Sequence, residues 1–403
     1  MLITRIELYP LEVPMSQPIK MAGETLTHAQ TLLVCITDER GRTGWGEASS
    51  APLMTGETLG SILASTEYLA SKMIGSRIDR PVDIAVLMSR ILYGNASAKA
   101  CIETALMDVL AQAAGIPLYQ LLAGQAQKGL QSMPTSNRLE MLHMLASGDL
   151  ERELEEARAL RADGYRQWKI KVGTGHLAEA VANDVRRVRA ICTELAGDVI
   201  SADANQALTV DEAAQIAKAG TPNGTYRGLS FLEQPFSVGM MAEMTELHAN
   251  TGVALCADES IQDASDIAAH YAARAAQGVS LKLIKLGGTQ ALVDAGKLCL
   301  AQGMHINLAC KVAETTISAA ATAHAGFALN IHARLQHGLD SGVAWGFSMS
   351  NRYLANDVCE SPLAPIRGAV SAAQFERVGL GFSPEADRLQ AFASKALPVR
   401  EFA

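Results

Sequence analysis

Gln167-Trp168-Lys169-Ile170-Lys171-Val172, Val199-Ile200-Ser201-Ala202-Asp203, Leu229-Ser230-Phe231-Leu232-Glu233-Gln234 and Val253-Ala254-Leu255-Cys256-Ala257-Asp258 are four successive apolar runs with charge at or beside their ends. Further runs at Leu130–Pro134, Val279–Leu283 and Ile306–Ala309 have the length of buried strands. Between the runs lie helical patterns at Leu150–Asp163, Ala178–Leu195, Val210–Ala219, Met240–Asn250, Ala264–Gln277 and Gln290–Gln302. Strand-helix alternation of this kind implies parallel strands. An open doubly wound sheet and a closed barrel both satisfy it, and the charges decide. An open sheet spreads its strand ends apart, whereas a barrel turns its C-terminal strand ends toward one axis. Buried charges at successive strand ends make sense where they converge and neutralise one another. The expected fold class is therefore α/β: a modified (β/α)8, TIM-like (β/α)7β barrel, with its closing strand expected in Ala333 to Trp345.

The first 125 residues read differently. Ile3 to Val13 alternates apolar and polar residues, as does part of Thr31 to Thr37. Asp38-Glu39-Arg40-Gly41-Arg42 is a hairpin-type turn, after which Thr43-Gly44-Trp45-Gly46-Glu47 returns as a third strand. Ala96–Ala114 is a helical pattern that stops at Gly115-Ile116-Pro117. Met15 to Thr27 and Ser49 to Gly56 read as polar loops. The expected organisation is an N-terminal α+β capping domain over 1–125, the barrel over 126–360, and a C-terminal segment, 361–403, that returns to the cap.

A chain of 403 residues, 49% of them hydrophobic, can bury a large core. Its net charge of −8 argues against a nucleic-acid or anionic-membrane surface, since phosphate binding needs clustered Lys and Arg. The seven cysteines form no CxxC pair and lie in apolar surroundings, which reads as reduced thiols in a cytoplasmic protein. The N-terminus has no signal-peptide pattern, and no apolar run reaches membrane-spanning length.

Asp203, Glu233 and Asp258 recur at one strand-helix unit apart. Three carboxylates at neighbouring strand ends repel one another unless a cation sits among them. Oxygen-only ligation selects a hard ion: Mg²⁺ first, with Mn²⁺ the alternative. Glu259 is expected to point the other way from Asp258 along a continuing strand, in a supporting role. Lys169 and Lys171 share one strand face. Crowding of ammonium groups beside a metal is expected to lower their pKa values and make a lysine a base near neutral pH. Lys282, on the sixth strand, reaches the mouth from the far side. Lys285, three residues on, is expected to point away and to be structural. A base alone cannot remove a proton beside a carboxylate. A divalent ion on the carboxylate oxygens stabilises the enediolate, so metal and lysines explain each other.

Taken together, these segments resemble the enolase superfamily, and within it the muconate-lactonizing-enzyme subgroup. Lys169-Ile170-Lys171 resembles the subgroup's two-lysine motif, and Leu281-Lys282-Leu283-Ile284-Lys285-Leu286-Gly287-Gly288 its sixth-strand motif. Asp203-Ala204-Asn205-Gln206-Ala207, Leu232-Glu233-Gln234-Pro235 and Asp258-Glu259-Ser260 resemble its three metal-ligand segments. The resemblance implies catalytic Lys171 and Lys282 with Lys169 beside them, and Mg²⁺ on the three acids. It further implies a small-molecule carboxylate substrate and a homo-oligomer, dimer or octamer. It also implies a cap whose loops help choose the substrate, so Lys20, Met21, Pro52, Leu53 and Met54, with Asn205 and Glu314, are expected to line the site. Lys311 is unusual after the seventh strand. The stretch Gln336 to Trp345 lacks the Asp-x-Asp with which dipeptide epimerases of the family hold a substrate amine.

The family's reactions share one enediolate. Two lysines on opposite faces suit removal of the α-proton from one side and its return from the other. The expected activity is therefore a racemase or epimerase of a carboxylate such as an amino-acid derivative. Cycloisomerisation and dehydration are the alternatives on the same scaffold. A non-catalytic binding protein would be expected to have lost a lysine or an acid, and none is missing. A nucleotide-dependent open sheet would need a glycine-rich phosphate loop, which the sequence does not offer.

Overall fold

The computed structural model describes the chain except for residues 22–23, 125–136, 176, 221–227 and 313, and except for the side chains of 20, 21 and 24. The cap begins with β1 (Ile3–Met21), β2 (Glu24–Asp38) and β3 (Thr43–Ser49), followed by α1 (Leu59–Met73), α2 (Pro81–Ile91), α3 (Ala96–Ala114) and α4 (Leu118–Leu122). After the short β4 (Arg138–Glu140) the barrel alternates: β5 (Leu142–Leu145), α5 (Leu150–Ala162), β6 (Gln167–Lys171), α6 (Ala178–Glu194), β7 (Val199–Asp203), α7 (Val210–Ala219), β8 (Phe231–Glu233) and α8 (Met241–Thr251). It continues with β9 (Leu255–Ala257), α9 (Ala264–Ala273), β10 (Gly278–Leu281), α10 (Leu283–Leu286), α11 (Thr289–Gln302), β11 (His305–Ala309), α12 (Thr316–His332) and β12 (Phe347–Ser348). β13 (Ala369–Ser371), α13 (Ala386–Ala391) and β14 (Arg400–Phe402) complete the chain.

Eight strands, β5 through β12, lie in sequence order in one parallel sheet. A parallel bridge between Met141 and Phe347 joins the two ends, so the sheet closes. This is the expected barrel, with two changes in its strands. The run Leu130–Pro134 lies outside the described residues, and the first barrel strand is β5. The closing strand is Phe347–Ser348, just beyond the expected window, whose start at Ala333–His337 instead continues α12 as a wider, π-type turn. Two residues suffice there because β11 pairs with β12 only at Leu308 and Ala309.

The second sheet runs β14-β1-β2-β3, so the C-terminal strand pairs with the first. Met15 to Thr27, expected as a loop, largely extends the β1–β2 hairpin instead. Pairing resumes at Ile19 with Leu26 after a register shift beyond Pro14. The shift accommodates residues that lack a backbone donor at Pro14 and Pro18. Helix α3 rests on β3 because Gly44 and Gly46 carry no Cβ. A Cβ on Gly46 would overlap the carbonyl oxygen of Cys101, and one on Gly44 that of Ala105. Two cap carboxylates reach into barrel helix starts. Glu47 accepts from the backbone of Thr315 and Ser318 before and within α12, and Glu103 from the backbone of Thr289 and Gln290 in α11. Buried N–H groups at helix starts need such partners, so cap and barrel are fastened by the groups each would otherwise leave unpaired. Among the described residues no helix is long and apolar enough to cross a membrane.

Candidate active site

Strand alternation places the chemistry. On β6, Trp168 turns outward and donates from Nε1 to Asp198, which leaves Lys169 and Lys171 on the inner face. Lys171, Asp203 and Glu233 are register partners across β6, β7 and β8, so they stand at one level of the barrel. Asp258 follows the end of β9, and Lys282 follows the end of β10 rather than lying on it.

The ammonium groups and carboxylates interlock. Lys171 Nζ donates to Asp203 Oδ2 and Asn205 Oδ1, each at 2.6 Å. Lys169 Nζ lies 2.5 Å from Glu233 Oε2 and 3.6 Å from Asp203 Oδ2, so it bridges two acids. Lys282 Nζ donates to Asp258 Oδ2 at 2.5 Å. Lys285, expected to point away, donates to Asp258 Oδ1 at 2.7 Å and to the Ser280 carbonyl at 2.9 Å. The chain turns helical at Leu283, and residues three apart on a helix share a face, whereas on a strand they would not. Glu259 also departs from the expectation. β9 has ended before it, and its Oε1 accepts from Asn205 Nδ2 at 3.2 Å on the cavity wall.

Burial opposes every charge here, and the partners decide the outcome. For Lys169, burial works against the ammonium, but Glu233 and Asp203 outweigh it and hold its pKa above the ordinary value. Lys282 is likewise raised, with Asp258 and Glu259 overcoming burial. The lowering expected for Lys169 beside a metal is not what the surrounding carboxylates alone produce, which is a rise. Lys285 is lowered, chiefly by burial. Asp203 and Asp258 are held low by their lysines against burial. Glu233 is raised by burial, and the nearby Asp203 and Asp258 charges add to this.

Among the described residues no three Asp, Glu, His or Cys side chains already meet as a ready ligand set. Ammonium groups are packed among the acids instead. The donor chemistry still fits a hard divalent cation: three buried carboxylates from adjacent strand ends, all oxygen, already gathered around positive charge.

A cavity of about 460 Å³ opens above this cluster, between the strand ends and the cap. Lys169, Lys171, Asp203, Asp258 and Lys282 form its floor. The Enolase C-terminal domain-like family matches residues 152–388, and the Mandelate racemase / muconate lactonizing enzyme, N-terminal domain family matches residues 5–123.

The chain belongs to the mandelate racemase/muconate lactonizing enzyme family.

Within that family, the D-Ala-D/L-Ala epimerase of Cytophaga hutchinsonii is 31% identical over 290 residues, spanning 72% of this chain and 74% of its own. A chloromuconate cycloisomerase of Pseudomonas putida is 32% identical over 313 residues, 75% of this chain and 79% of its own. A crystal structure of a dipeptide epimerase from Cytophaga hutchinsonii, complexed with Mg and the dipeptide D-Ala-L-Val, matches with a TM-score of 0.81 over 100% of both chains at 24% identity, a likeness of fold. Epimerases, a racemase and cycloisomerases are isomerases, and this mandelate racemase/muconate lactonizing enzyme family member is an enzyme of that kind.

Of the residues expected to line the site in this family member, Pro52, Leu53, Met54 and Asn205 do so. Met54 Sδ lies 3.7 Å from Lys282 Nζ. The side chains of Lys20 and Met21 lie outside the described residues. Glu314 does not reach the cavity surface. It is buried behind it, accepting from the Lys311 backbone N–H, with a pKa pushed up to about 8 by burial and by Glu47. Lys311 itself lines the wall. Sequence reading missed Glu12, His28 and Gln30, which enter from the extended hairpin, and Tyr353 beyond the barrel's last strand. Glu12 and Gln30 are register partners, two residues from the Pro14–His28 pair, so one hairpin face turns to the site.

Proposed function

We propose that this enzyme moves the proton α to a substrate carboxylate in a Mg²⁺-dependent racemisation or epimerisation, acting on a small carboxylate such as an amino-acid derivative. The observation that carries this reading is that Lys171 and Lys282 enter one cavity from β6 and from the end of β10, four strands apart in a closed ring of eight. One lysine, neutral, takes the α-proton from one face. The other, charged, returns a proton to the opposite face, and the roles exchange for the other enantiomer. Asp203 and Asp258 orient the two ammonium groups, and Asn205 adds a second acceptor to Lys171. Asp203, Glu233 and Asp258 are the residues that would hold Mg²⁺, which when bound supplies positive charge for the substrate carboxylate as its α-proton leaves. Met54 of the cap wall, with Sδ 3.7 Å from Lys282 Nζ, covers the Lys282 side of the cavity.

The deciding experiment is α-deuterium exchange in D₂O with Mg²⁺. Solvent deuterium is expected to appear at the α-carbon starting from either enantiomer. Exchange from a single enantiomer, or a product that has closed a ring or lost water, overturns the racemase reading. Ring closure would favour cycloisomerisation, the second reading, which the chloromuconate cycloisomerase relative supports.

A further inference from the structure

Below the site, inside the barrel, three polar side chains from three strands meet with no access to solvent: Glu233 on β8, Ser280 on β10 and Asn307 on β11. Ser280 Oγ donates to Glu233 Oε1 at 2.8 Å. Asn307 Nδ2 donates to Ser280 Oγ at 2.7 Å and stands 3.4 Å from both Glu233 oxygens. Ser280 and Asn307 are register partners, so the strand pairing itself sets them side by side. The amide can be oriented only one way, because a flipped Asn307 would turn its carbonyl oxygen toward the carboxylate. With the amino group facing Ser280 Oγ, the hydroxyl proton is left for Glu233 Oε1. Asn307 Oδ1 is buried with no partner among the described residues. A barrel interior optimised for stability would replace such a group with an apolar one. Its retention needs a reason, and Glu233 supplies one.

We infer that Ser280 and Asn307 are positioning residues that fix the Glu233 carboxylate, Ser280 by Oε1 and Asn307 from beside both oxygens, in the orientation in which it would help hold the cation. Oε2 is the oxygen that already carries the Lys169 ammonium group. The carbonyl of the same Ser280 accepts from Lys285, which holds Asp258, so one residue of β10 supports two of the three acids. This rests on the reading of Glu233 as a metal ligand.

The test is calorimetric titration of metal-free protein with Mg²⁺ alone, beside thermal melting without Mg²⁺. In Asn307→Leu and in Ser280→Ala, Mg²⁺ affinity is expected to fall by 10-fold to 100-fold, the range for losing the partner of a metal ligand. Asn307→Leu is expected to melt at or above the wild-type temperature, since the unpartnered oxygen is gone. Glu233→Gln serves as the reference, and adding Asn307→Leu to it should weaken binding no further. If Asn307→Leu melts lower but binds Mg²⁺ as wild type does, the pair is merely structural and the inference fails. If Glu233→Gln itself binds Mg²⁺ undiminished, the metal-ligand reading fails first, and the two failures are told apart. Should Asn307→Leu not fold, Ser280→Ala carries the same comparison.

Discussion

Lys171 and Lys282 face one cavity, but each is anchored to a different carboxylate, Lys171 to Asp203 and Lys282 to Asp258. Two bases tied to one acid would share a single protonation pattern. Separate anchors let one lysine be neutral while the other is charged, which a two-sided proton transfer requires.

Lys171→Ala is expected to lower turnover by about 10²–10⁴-fold in both directions, the usual contribution of a positioned acid or base. Exchange of the α-proton should survive from the one enantiomer whose proton faces Lys282. Lys282→Ala should show the mirror pattern. The fold should persist in both, because Asp203 keeps Lys169 and Asp258 keeps Lys285. Deuterium incorporation followed by NMR from each pure enantiomer is the measurement. If both variants lose exchange equally from both enantiomers, the two lysines do not serve opposite faces.

Much of this arrangement was legible in the sequence because charge interrupts apolar runs at a fixed interval. Val199–Asp203 and Val210–Ala219 match the structure at both ends. The Thr209–Glu212 capping box marks that helix start independently of periodicity. What escaped has physical causes. β5 is four residues without terminal charge, and β12 is only two residues long, too short for any periodicity. The extended hairpin was hidden by Pro14 and Pro18, which punctuate a sequence even where pairing resumes beyond them. Lys285 and Glu259 were placed by strand alternation just past the point where the strands stop.

Removal of Mg²⁺ should be visible without any substrate. A ligand that binds only the folded state stabilises it by about 2.7 kcal/mol at 100 times its Kd. Protein treated with EDTA is expected to melt lower than protein in saturating Mg²⁺ and to lose turnover, and added Mg²⁺ should restore both. A melting temperature that stays fixed across an Mg²⁺ titration speaks against the three acids as a binding site.

His143 makes the fold sensitive to acid. Its ring is buried on β5, with Nε2 2.7 Å from Glu156 and Nδ1 accepting from Arg352 at 2.8 Å. An accepting Nδ1 requires the neutral ring. Burial is the main cause that lowers its pKa, Glu156 opposes it, and Arg352 adds to the lowering. The folded ring thus binds its proton more weakly than the unfolded one. The stability it supports is present above about pH 6.5 and is lost as the pH falls below that, levelling off below the folded pKa. Urea unfolding at pH 8 and pH 5 of wild type and His143→Gln checks this. The advantage of wild type over the variant should shrink at pH 5. An unchanged difference would mean that the ring does not titrate in that window. Since Arg352 adjoins Tyr353 on the cavity wall, substrate binding should weaken over the same range.

Gly46→Ala should be among the most damaging small substitutions in the cap. Its Cβ would meet the carbonyl oxygen of Cys101 and the backbone N of Ala105, both in α3, and neither can rotate away as a side chain could. Relief requires β3 and α3 to separate, a cost of about 3 kcal/mol. The effect should reach the site by a short route. β3 ends at Ser49, and the cavity-lining residues Ser50 to Met54 follow it directly. Material that still folds is therefore expected to melt lower and to show a raised KM with a smaller change in kcat, because the floor lysines belong to the barrel. Gly41→Ala is the contrast. That glycine lies in a turn with φ of 75° and open space around it, so its cost is backbone strain alone and its KM should match wild type. If both variants shift KM alike, the cap wall is not positioned through the β3–α3 contact.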